Sequence, residues 1–148
     1  MAGQYSVLFR PMKITVYLRI VLLATVSLVL FACGAESQKP APAGDHAVLE
    51  QLADAYRHVG EQFPMQPQAM PPKGRKDFVN RVFAQAGYSY SATLTTLAKT
   101  GASITNQDHR DLVDLLLLPG KGLSDENLAS IYSADEVVAV RQLRAIFR

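Results

Sequence analysis

Apolar residues recur at helical spacing through most of this chain. Val48, Leu49, Leu52, Tyr56, Val59 and Phe63 fall every three or four positions, with Glu50, Asp54, Arg57 and Glu61 between them. That period predicts an amphipathic helix from Asp45 to Phe63, with Asp45 as its N-cap and Gly60 weakening its last turn. Phe78, Val79, Val82, Phe83 and Ala86 repeat the pattern from Arg75 to Ala86, and Gly87 supplies a stop. Between the two lie Pro64, Pro67, Pro71 and Pro72. Prolines lack a donor and hold φ, so this stretch predicts an extended surface path whose Met65 and Met70 fill irregular gaps.

The segment Ser89 to Lys99 supports two patterns. Tyr88, Tyr90, Ala92 and Leu94 alternate with Ser and Thr as in a strand, whereas Tyr90, Leu94, Leu97 and Ala98 share a helix face. No second alternating run offers a strand partner, which favours helix. Thr105 followed by Asp108 predicts a capped helix over Asn106 to Leu118, ended by Pro119-Gly120. Leu115 to Leu118 is apolar on every side, which predicts a central helix. Leu123 and Leu128 are spaced as a staple for a short helix. Ser133 with Glu136 caps a last helix whose apolar face is Val137, Val140, Leu143 and Phe147. Five or six short helices and no convincing strand predict a single small all-α bundle.

Cys33 is the lone cysteine, and the residues ahead of it are of a different kind. Lys13 and Arg19 precede an uncharged, predominantly apolar run from Ile20 to Ala32, which leads into Leu30-Phe31-Ala32-Cys33-Gly34. This arrangement resembles a bacterial lipoprotein signal peptide ending in a lipobox. Leu30 and Ala32 match that pattern, and Phe31 departs from it where a small residue is more usual. The anatomy fits best if translation starts at Met12. Ala32 and Gly34 also suit an ordinary signal-peptidase site, and the run also reads as an uncleaved anchor, although Arg19 leaves it short of the roughly 20 apolar residues of a span. The resemblance implies a signal peptide over 1–32 and acyl chains on Cys33 that tie the protein to a membrane. With Gly34 rather than an aspartate next, it implies the outer membrane, facing the periplasm. A thiol consumed by lipid also explains an unpaired cysteine in an exported chain.

Removing that segment changes the charge. The 148 residues carry 15 Lys and Arg against 13 Asp and Glu, a net of +2, but Arg10, Lys13 and Arg19 lie in the first 32, which hold no acid. The remainder has 12 bases and 13 acids, so nothing in its balance suggests a polyanion partner. Residues 33–44 contain Glu36, Ser37, Gln38, Lys39, Pro40 and Pro42 and no large apolar side chain, which predicts a flexible tether. Residues 45–148 make one helical domain with room for one core.

Candidate chemistry is sparse. Ala84 to Leu94 is similar, over about a dozen residues, to a repressor-type helix-turn-helix with one residue too many after the turn. Its second helix carries only Lys99 as a cation, so a plain helical hairpin is expected and no nucleic acid. His46, His58 and His109 are too scattered for a metal site. Asp108, Asp111 and Asp114 form a solvated stripe favoured by the dipole at a helix start. No nucleophile motif or phosphate-cradling glycine loop occurs, so neither an enzyme nor a cofactor is expected. Pro64-x-x-Pro67 and Pro71-Pro72 are expected to pack on the domain itself. The expected role is a membrane-tethered interaction or assembly factor with an envelope protein as partner. An immunity or exclusion lipoprotein that blocks a toxin, phage or conjugation apparatus is the alternative, and an envelope-acting enzyme the third. Partner contacts are expected from Tyr88, Tyr90, Met65 and Met70 around the turns and from Arg141, Arg144 and Arg148 on the last helix.

Overall fold

The helical period is realised in a computed structural model that describes residues 39–100 and 106–146. Among these, five α-helices occur in order: α1 (His46–Gly60), α2 (Pro72–Gln85), α3 (Tyr90–Lys99), α4 (Gln107–Leu117) and α5 (Ala134–Ile146). Single 3-10 turns lie at Pro67–Ala69, Leu118–Gly120 and Leu128–Ser130. The β contact among the described residues is one isolated parallel bridge between Lys39 and Tyr88. The fold is an all-α bundle.

Local chemistry sets most boundaries. Asp45 accepts from the Ala47 N–H and starts α1. α2 begins three residues before the expected Arg75, because Pro72 at its first position surrenders no hydrogen bond. Gly87, at φ +79°, turns the chain out of α2. α3 resolves the double pattern of Ser89 to Lys99 as helix. Ser89 Oγ accepts from the Ala92 N–H, while the Thr93 and Thr95 hydroxyls donate back to the Ser89 and Ser91 carbonyls. The hydroxyl residues that suggested a strand are thereby absorbed by helix backbone.

α4 is capped by Asn106, whose side chain accepts from the His109 N–H at 2.8 Å; Thr105 lies outside the described residues. Pro119 does not end the helix abruptly but continues it as a 3-10 turn. The short helix expected from Leu123 reduces to the turn at Leu128–Ser130, with Leu128 fully buried. The capping box of α5 is present. The Ser133 N–H donates to Glu136 at 2.8 Å, and the Glu136 N–H reaches the Ser133 hydroxyl at 3.4 Å.

The core is centred on α2 rather than on α4. Phe78, Val79, Val82 and Phe83 are all sealed from solvent, whereas Leu116 alone of Leu115–Leu118 is. Asp111 and Asp114 oblige one face of α4 to meet water, so the helix sits at the edge despite its leucine run. α2 packs between α1, α3 and the Leu118–Gly120 turn, and α3 lies along α5. Phe78 takes the edges of Tyr56 and Phe63 at 4.9 and 5.3 Å, and Phe83 takes Tyr90 at 5.6 Å. Each such side chain adds about 1.5–3 kcal/mol by leaving water.

The domain starts earlier than Asp45. The Ser89 N–H donates to the Lys39 carbonyl, the Ala41 N–H donates to Thr93 Oγ1, and Ala41 is 6% exposed. Gly44, at φ +77°, lies so close to the His109 ring that a Cβ there would stand 2.7 Å from Cε1. The expected tether over 33–44 is therefore corrected from Lys39 onward. Backbone hydrogen bonds, which composition does not reveal, dock Lys39–Gly44 as a strap.

Candidate functional site

α1 presents two adjacent apolar stripes. Val48, Leu52, Ala55 and Val59 face the core, and Leu49, Ala53 and Tyr56 stand one position further round. With Leu115 of α4 opposite, the second stripe lines an open groove of about 430 Å³, bordered by Arg57 and Asp111. Tyr56 and Arg57 also line a second groove of about 510 Å³, whose wall is Gly60, Phe63, Pro64, Met65 and the turn at Gln66–Gln68. Met65 stands at its mouth, 49% exposed. Together they make an apolar trough along the edge of the bundle.

Its charges are few and unevenly placed. Arg57 is paired with Asp54 at 2.7 Å on its own helix. His46 stands 3.6 Å from Glu50 and 3.5 Å from Asp108, so it joins α1 to α4 one turn before Asp111. Asp111 accepts from the Gln107 amide at 2.7 Å. Arg81 lies over the Phe63 ring at 5.4 Å and pairs with Asp77 at 3.3 Å. Around the α1–α4 groove, Glu50, Asp54, Asp108 and Asp111 outnumber Arg57.

The strongest electrostatics lie elsewhere and are internally consumed. Lys76 of α2 donates to Glu136 and to the Ile131 carbonyl, and its ammonium sits over the Tyr132 ring at 4.9 Å. Burial opposes ionisation of Glu136, but the Lys76 ammonium and the Ser133 N–H outweigh it and hold its carboxyl below the ordinary range. Burial pushes the Tyr90 and Tyr132 phenols up. Arg144 spends its guanidinium on the Gly120 and Leu123 carbonyls and on Asp125. This network clamps the chain from Lys121 to Ser133 onto α2 and α5. Among the described residues no three metal-ligating side chains converge, and no helix is long and apolar enough to cross a membrane.

Most of the side chains expected to meet a partner do not reach the surface. Tyr88 and Tyr90 are 8% and 3% exposed, and Met70 is 5% exposed. Tyr88 donates to Gln51, and Tyr90 donates to the Leu116 carbonyl at 2.8 Å. Their hydroxyls find partners inside the fold, so the rings are buried without cost. Met65 alone of that group is available. Arg141 donates to the Asp125 carbonyl and Arg144 belongs to the clamp, so the basic face of α5 is largely a loop fastener. Cys33 and Arg148 lie outside the described residues.

Sequence reasoning missed the pairing of Leu49 and Tyr56 with Leu115. The available signal was an apolar stripe on α1 wider than one core contact requires. The Lys76–Glu136 pair, separated by 60 positions, left none. Protein-family models, curated proteins and solved structures contain no match to this chain.

Proposed function

We propose that this chain is a lipid-anchored envelope protein, held at the periplasmic side of the outer membrane through Cys33, whose helical domain binds another envelope protein as an interaction or assembly factor. One observation carries the binding role. The trough of Leu49, Ala53, Tyr56, Leu115, Phe63 and Met65 is a connected apolar surface on a domain whose strongest charges are consumed by internal pairs. Contiguous apolar surface left half-exposed on a domain is where protein–protein contacts and ligand-binding grooves are found. The lipobox resemblance around Leu30 to Gly34 supports the anchor and the address.

The anchor and the surface separate experimentally. Cys33→Ser should abolish labelling by a fatty-acid analogue and move the protein out of the membrane fraction. Leu115→Ser and Tyr56→Ser should leave labelling intact and reproduce whatever phenotype deletion of the gene produces. Lipid labelling that persists without Cys33 defeats the anchor. Wild-type behaviour of folded, tethered trough variants defeats the interaction role.

A further inference from the structure

The partner's chemistry is legible in the trough. We infer that it receives one amphipathic helix of a partner protein, a helix whose apolar stripe is flanked by Lys or Arg. This rests on the interaction reading above and specifies what binds.

Length comes first. Leu49 to Tyr56 is seven residue steps along α1, about 10 Å at 1.5 Å per residue. A docking helix that anchors at i, i+3 or i+4, and i+7 covers the same distance. The α1 and α4 walls of the first groove also offer no free strand edge. α1 and α4 satisfy their own backbones, which removes β-addition as a mode.

Charge comes next. Asp111 stands on the α4 wall, and His46 gathers Glu50 and Asp108 one turn away. Arg57 on the wall is offset by Asp54, and Arg81, over the Phe63 ring, by Asp77. A helix flanked by bases meets carboxylates on the α4 side and at that end. A helix flanked by acids meets like charge and loses binding, because rim charges decide partner choice and encounter rate. The same sign disfavours an anionic bilayer surface as occupant. Met65, flexible and half-exposed, lets the open end adapt to different anchors.

The test places a photocrosslinking residue at Ala53, which is exposed on the trough wall, in the full-length protein in intact cells. The crosslinked peptide is then sequenced by mass spectrometry. The expected product joins Ala53 to a partner segment with apolar residues at three- and four-residue spacing and basic residues beside them. Glu50→Lys with Asp111→Lys should lower its yield about ten-fold, the size expected when attraction at a rim becomes repulsion. Glu126→Lys, at an exposed carboxylate that does not line the trough, should change it little.

In parallel, three synthetic helices with one apolar face and basic, neutral or acidic flanks are titrated against the purified protein. The basic helix should bind tightest, weaken in high salt, and lose its advantage in the double variant. Crosslinking to an acidic or extended segment, to a second copy of this chain or to lipid overturns the inference while leaving an interaction surface in place. Equal binding of the three helices also overturns it. Absence of any crosslink from Ala53 overturns this inference and the interaction reading together.

Discussion

Glu136 shows how much one side chain can rest on a distant one. It is buried, it closes the capping box of α5, and it takes the Lys76 ammonium from α2. Because its carboxyl is held below its ordinary value of 4.5, the folded chain binds fewer protons there than the unfolded chain. The pair's contribution is therefore complete above that pH and is lost as pH falls through the lowered folded value. Lys76→Met should cost about 3–5 kcal/mol at pH 7, since it leaves a buried carboxylate without its cation. Urea melts at pH 7 and pH 4 check both points. Acid should weaken the wild-type domain and weaken Lys76→Met much less, because protonating an unpaired buried carboxyl relieves it. The leucines of α4 separate in the same way. Leu116→Asp should unfold the domain, whereas Leu117→Asp, at a half-buried position on the edge of α4, should stay folded with a lower melting temperature.

At the scale of elements, the sequence was most readable where the deciding contacts are local. The Asp45 cap, the Ser133–Glu136 box and the glycine stop at Gly87 each depend on residues within four positions, and those helix ends stand where they were expected, whereas α1 stops at Gly60 short of the expected Phe63. Ser89 to Lys99 was ambiguous because hydroxyl residues at alternate positions imitate a strand; the helix becomes plain once Thr93 and Thr95 bond back one turn. The strap was illegible for the opposite reason. Pro40 and Pro42 give Lys39–Gly44 the composition of a linker, and its docking depends on Thr93, 52 positions from Ala41. The trough was half legible. Its apolar residues were identified as helix faces, but which of them meet solvent depends on how α1 crosses α4. Removal of the strap gives a direct check on its worth. A chain starting at Gln38 should be more stable than one starting at Asp45 by about 1–3 kcal/mol, for two hydrogen bonds and one buried alanine, measured by denaturant unfolding of both.

At the scale of the whole molecule, interior and surface divide the work. Tyr90 ties α3 to the Leu116 carbonyl of α4, Lys76 ties α2 to α5, and Arg144 ties the loop after α4 to α5. With the interior held by these long-range ties, the trough is one of the apolar surfaces left open to solvent among the described residues. The strap has a mechanical meaning as well. Two hydrogen bonds, from Ser89 N–H to the Lys39 carbonyl and from Ala41 N–H to Thr93 Oγ1, fasten it ahead of the Asp45 cap. Breaking both would free six residues, up to about 20 Å of chain, without disturbing a hydrogen bond within α1.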